Sequence, residues 1–205
     1  MPIPVPARND SSVESHQLAP GLSIWHRYDS AIKADLFSTA VATDSGMLLV
    51  DPIDFGNEKL PGATRVIGIV VTNANHLRAS EFLSAKFSVP IYATRAAEIS
   101  SATEVDDRRL IGDLRVIAVD GAAPGEIALF SERDGGDLII GDALINFGSH
   151  GFTFLPAKYC LNSKLMQKSL RRLLDLDFQR MLFAHGTPIM SKARERLAAL
   201  LAEHR

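Results

Sequence analysis

The residues in this chain best placed to do chemistry are Thr72-Asn73-Ala74-Asn75-His76-Leu77-Arg78, together with Asp142 and His185. The loop follows a β-branched run, Val66-Ile67-Gly68-Ile69-Val70-Val71, and leads into a helix-like stretch, the place where an α/β protein builds a site. Asn73, Asn75 and Arg78 supply amide and guanidinium donors of the kind that suit a small carboxylate or phosphate. Each residue has a plainer reading too. Asp142 follows a glycine at a strand end and can cap a turn, while His185 precedes a glycine and can satisfy backbone carbonyls. His150, in a Gly-Ser-His loop, reads as solvated or as lining the cleft, and His16, His26 and His204 carry no spacing pattern.

The rest of the chain must position these groups. At 205 residues and 46% hydrophobic, it is long enough for one well-buried core. The net charge of −2 is spread without long runs, which excludes the basic footprint of a nucleic-acid or anionic-membrane surface. Cys160 is the single cysteine and reads as a small buried apolar residue, not a redox or zinc ligand. No apolar stretch approaches the roughly 20 residues of a membrane span, and the expectation is a cytoplasmic protein. Residues 1–20 read as a flexible N-terminal tail, being rich in Pro, Ser and Asn, and residues 21–205 as one domain.

Strand-like runs at Leu22–Tyr28, Phe37–Thr43 and Met47–Asp51 suggest hairpins, the last two joined at Asp44-Ser45-Gly46. Val66–Val71, Ala79–Phe87 and Val89–Ala93 read strand, helix, strand, a unit that suits a parallel pair. Leu114–Val119, Glu126–Glu132 and Asp137–Gly141 form a second strand cluster, with a turn at Arg133-Asp134-Gly135-Gly136. Helices are expected over Ser163–Asp175 and over Ser191–His204, the latter with Ser191 as its cap. Hairpins, a crossover, more hairpins and closing helices describe an α/β layer protein with mixed sheets, consistent with an αββα sandwich.

Five landmarks in order resemble the metallo-β-lactamase fold superfamily. These are Met47-Leu48-Leu49-Val50-Asp51, the 72–78 loop, Gly121-Ala122-Ala123-Pro124-Gly125, Ile139-Ile140-Gly141-Asp142 and Ala184-His185-Gly186-Thr187-Pro188. The resemblance implies a four-layer αββα sandwich and a metal-dependent hydrolase ancestry. It also places Asn73, Asn75, Leu77 and Arg78 where the family carries three histidines and an aspartate, and Ala122 where it carries another histidine. Only Asp142 and His185 remain of the expected donors, too few for a dinuclear centre. His76 falls at a position variable in the family motif, and a shift of one residue would bring it to Asp142 and His185.

The resulting expectation is a hydrolase-like protein without the dinuclear site, binding a small polar or anionic ligand through Asn73, Asn75, Arg78, Asp142 and His185. No cofactor is expected, or at most one weakly held zinc or iron ion. The alternative is a single-metal hydrolase using Asp142, His185 and His76. Arg78 is expected to approach Asp142 and replace part of the missing metal charge. The expected partner is a small molecule, with no nucleic acid and no membrane, and a homo-oligomer is compatible with the sequence.

Overall fold

Met47, Leu48, Leu49 and Val50 are consecutive and all buried, so the strand that carries them needs protein on both faces. The computed structural model, which describes residues 12–31, 33–56, 65–147 and 151–204, supplies it. Seven strands form the first sheet in chain order: β1 (Glu14–Ala19), β2 (Leu22–Asp29), β3 (Ala34–Thr43), β4 (Gly46–Val50), β5 (Val66–Val70), β6 (Ile91–Ala93) and β7 (Ala102–Glu104). Pairing is antiparallel from β1 to β4 and parallel from β4 to β7. The crossover between β5 and β6 is α1 (Ser80–Phe87).

The second sheet is built from β8 (Leu110–Ile111), β9 (Leu114–Ala118), β10 (Ile127–Ser131) and β11 (Asp137–Ile140). A separate hairpin, β12 (Leu144–Phe147) and β13 (Gly151–Phe154), and then α2 (Ser163–Arg171) precede β14 (Arg180–Phe183). β14 adds to the second sheet parallel to β11, and α3 (Ala193–Glu203) closes the chain.

Side-chain alternation sorts the core into three layers. Leu48 and Val50 of β4 meet Leu129, Ile139 and Leu182 between the sheets. Met47 and Leu49 face the other way, packing with Trp25, Ile69 and Leu83 of α1. On the outer face of the second sheet, Phe130, Leu138 and Ile140 meet Met166 and Leu170 of α2 and Leu197 and Leu201 of α3. The architecture is the expected αββα sandwich with mixed sheets. Among the described residues no helix is long and apolar enough to cross a membrane.

Two local expectations are corrected. The tail expected through residue 20 is strand from Glu14, with Ser15 opposite Trp25 and His16 opposite Ile24; residues 1–11 lie outside the described residues. Backbone pairing onto β2 needs no apolar side chain, so an exposed polar edge strand leaves little trace in composition. Helix α3 is not capped by Ser191. Its N-cap position is Lys192, at φ 54° and without a side-chain cap bond, and the amide of Ala193 donates to the carbonyl of Gln179 at 3.1 Å, so the strand lead-in supplies the acceptor.

The β10–β11 turn depends on Gly136, which has φ 88° and sits where an added Cβ would strike the Asp177 carbonyl and Phe178 Cα. Gly136→Ala is expected to lower stability by about 1–3 kcal/mol, from the positive φ and the backbone clash together. A thermal melt within error of wild type would contradict this reading of the turn.

Candidate metal centre

Four strand ends meet at one rim. β4 runs into Asp51, β5 into the loop 72–78, β11 into Gly141-Asp142 and β14 into Ala184-His185, the kind of strand-end crevice where α/β proteins place their ligands. Glu126, directly before β10, comes to the same place.

The loop 72–78 winds into a 3₁₀ turn over Ala74–His76, capped by Asn73, whose Oδ1 accepts from the amide of Asn75 at 2.9 Å. With three residues per turn, side chains three apart share a side. Asn73 and His76 therefore both point inward and are buried, while Asn75 stays exposed on the rim. This period brings His76, and not its neighbours, to the centre. Its Nε2 stands 3.1 Å from Oδ1 of Asp142, and Nε2 of His185 stands 3.3 Å from the same oxygen. The three residues each offer a ligand atom within 4.8 Å of the others.

Behind His76 is Asp51. One of its oxygens accepts from the Thr72 amide at 2.8 Å, and the other lies 2.8 Å from His76 Nδ1 and accepts from the Thr72 hydroxyl. With Asp51 on Nδ1, Nε2 is the ring nitrogen turned toward Asp142 and His185. Burial opposes charge on His76, but the Asp51 carboxylate overcomes it and pushes the imidazole pKa up to about 9. Asp142 is also buried, yet the adjoining imidazoles of His185 and His76 hold its carboxyl well below the usual range. Burial depresses the His185 pKa.

Glu126 is a member of the site that the motifs did not reveal. Its two oxygens accept from the Ala143 amide at 3.0 Å and from Asn73 Nδ2 at 2.7 Å. Burial, and after it the negative charge of Asp142, push its pKa up to about 8. A carboxylate immediately ahead of the wholly apolar Ile127-Ala128-Leu129-Phe130 was the available signal.

The donors expected to bind an anion are placed unevenly. Asn73 spends its amide on Glu126 and, at 3.2 Å, on Asp142. Asn75 reaches Asp142 at 3.4 Å from the exposed rim. The expected Arg78 to Asp142 pairing is not formed. Arg78 donates instead to the carbonyls of Phe37 at 2.6 Å, Asp51 at 2.8 Å and Ala184 at 3.3 Å, three backbone acceptors that converge on its guanidinium. The charge facing Asp142 is that of His76, with His185 as a second imidazole neighbour. His150 lies outside the described residues.

The donor set fits one metal ion. Two imidazoles and a carboxylate are a known zinc or iron triad, His76 is oriented by a carboxylate behind it, and its buried Nε2 lacks a well-directed hydrogen bond despite its closeness to Asp142. A second ion finds no comparable set among the described residues of this rim.

Comparison with known proteins agrees with the fold. The chain belongs to the metallo-beta-lactamase superfamily, whose sequence profile matches residues 15–204. Among solved structures, it is similar to the DIM-1 metallo-beta-lactamase, at 12% identity and a TM-score of 0.72 over 94% of this chain and 98% of that one. A metallo-beta-lactamase family protein from Thermus thermophilus gives 20% identity and a TM-score of 0.66, over 92% of this chain and 80% of that one. The protein TTHA1623, crystallised in a di-iron-bound form, gives 21% and 0.63 over 85% and 96%. No protein of curated function matches the chain.

The pKa shifts set the pH dependence of the metal-free protein. The folded pKa of His76 lies above its ordinary value of 6.5, so its contribution is complete below 6.5 and is lost as pH rises through about 9. Glu126, raised from 4.5 to about 8, acts in the same direction. Thermal melts in chelator are expected to fall steadily from pH 6.5 to 9, with a shallower slope in Asp51→Asn, which removes the charge that raises His76. Equal slopes in the two proteins would contradict the assignment.

Proposed function

We propose that His76, Asp142 and His185 hold a single zinc or iron ion, and that the chain is a mononuclear metal-dependent hydrolase of the metallo-beta-lactamase superfamily. The observation that carries this reading is the buried, poorly directed Nε2 of His76, aimed at Asp142 and His185 with Asp51 fixed behind it. A metal ion in such a set supplies Lewis acidity towards a carbonyl or phosphoryl oxygen.

The protein's own groups do the remaining work. Asp51 keeps the His76 proton on Nδ1. Asn73, held by Glu126, steadies Asp142 from the side away from the histidines. Asn75, exposed and 3.4 Å from Asp142, is the amide available to orient a substrate oxygen at the mouth. Arg78 keeps the Phe37, Asp51 and Ala184 carbonyls from turning into the site. Binding of an anion without metal draws less support, because Arg78 and Asn73 are already engaged inside the fold.

Protein from zinc-supplemented culture, desalted without chelator, is expected to lose about one ion per chain on either His76→Ala or His185→Ala. Asp51→Asn is expected to keep the stoichiometry while weakening affinity roughly 10–100-fold, as loss of a carboxylate behind a ligating histidine does. Metal content unchanged by both histidine variants would overturn the proposal.

A further inference from the structure

We propose that Glu14, His16 and His26 form a second divalent-cation site, on the surface of the β1–β2 hairpin and separate from the buried cluster, selective for imidazole-preferring ions such as zinc. The site comes from strand register. Glu14 lies directly opposite His26 and His16 opposite Ile24 in the antiparallel pair. Glu14 and His16, two residues apart on β1, point to one face, and His26 shares that face because it opposes Glu14. The three side chains each offer a ligand atom within 4.8 Å of the others.

The geometry is partly set in advance. His26 stacks on Phe37 of β3 at 4.6 Å between centroids and 17° between planes, and on His16 at 5.8 Å and 16°, so its ring is held between neighbours on both sides. Glu14 Oε2 already lies 3.8 Å from His26 Nε2. Ligands about 2.0–2.2 Å from a tetrahedral zinc are roughly 3.4 Å apart, so closing onto an ion needs only rotamer adjustment of the exposed Glu14 and His16. Two imidazoles and one carboxylate, with the fourth position left to water, favour zinc, nickel or copper over magnesium or calcium, which prefer all-oxygen sets. Such an ion would cross-link β1, the edge strand of the first sheet, to β2 through side chains as well as backbone.

The site is independent of the buried cluster and is tested without it. In the full chain carrying His76→Ala and His185→Ala, zinc titration against a chromophoric chelator is expected to show about one ion bound, removed by adding His16→Ala or His26→Ala. Amide exchange over Glu14–Ala19 is expected to slow on zinc addition and to remain unchanged once either surface histidine is replaced. A His76→Ala/His185→Ala chain that binds no zinc, or zinc binding indifferent to His16→Ala and His26→Ala, overturns the proposal. Should that double variant fail to fold, ring-proton NMR of the wild-type chain decides: zinc must shift the His16 and His26 rings, and rings that do not respond overturn it.

Discussion

The carboxylate of Asp51 is the group on which the rim of the sandwich is organised. It is fully buried, and an unpaired charge there would cost several kcal/mol. Thr72 answers it with both its amide and its hydroxyl, and His76 with Nδ1. The backbone of the same residue takes φ 47°, a strained conformation for a side chain other than glycine, and its carbonyl accepts from Ser38 and from Arg78. One residue at the end of β4 thus ties together β3, the loop after β5 and the imidazole at the centre of the site. Burial works against its charge, and pairing with His76 outweighs it, holding the pKa below the ordinary value.

The two sheets meet at the same rim. The amide of Phe37 in β3 donates to the carbonyl of Ala184 at 3.0 Å, and Arg78 bonds the carbonyls of both residues. The second sheet approaches through Gly141, where a Cβ would lie 2.5 Å from Thr72 Oγ1 and 2.8 Å from Glu126 Oε1. No other residue allows the end of β11 to come that close to the polar cluster, so Asp142 reaches His76 only because a glycine precedes it. Asp142 and His185 come from the second sheet and Asp51 and His76 from the first, which makes the site a product of sheet packing rather than of either sheet alone.

Much of the fold was legible in the sequence. Apolar runs such as Met47–Val50 and Ile127–Phe130, bounded by turn residues, read as strands covered on both faces, and the Gly-containing turns between them set hairpin partners. What stayed hidden depended on periods and registers that composition does not encode. His76 reads as peripheral if the loop is taken as extended, and becomes central only when the 3₁₀ turn puts positions 73 and 76 on one side. Arg78 looked like a counter-charge for Asp142, but the carbonyls of Phe37, Asp51 and Ala184 take its guanidinium. Glu126 belonged to no motif, and its role follows from being a carboxylate at the mouth of an apolar strand. His16 and His26, ten residues apart without ligand spacing, become neighbours only through the β1–β2 register.

The central claim is that a site built by Asp51 and centred on His76 holds one metal ion and not two. An anomalous difference map at the zinc absorption edge, from crystals of the full chain grown with excess zinc, tests it directly because it locates each ion. The account predicts a single peak at the strand-end rim, within coordination distance of His76 Nε2, Asp142 and His185. Two peaks at that rim about 3.5–4 Å apart, the separation of a two-metal site, or none there at all, would contradict it.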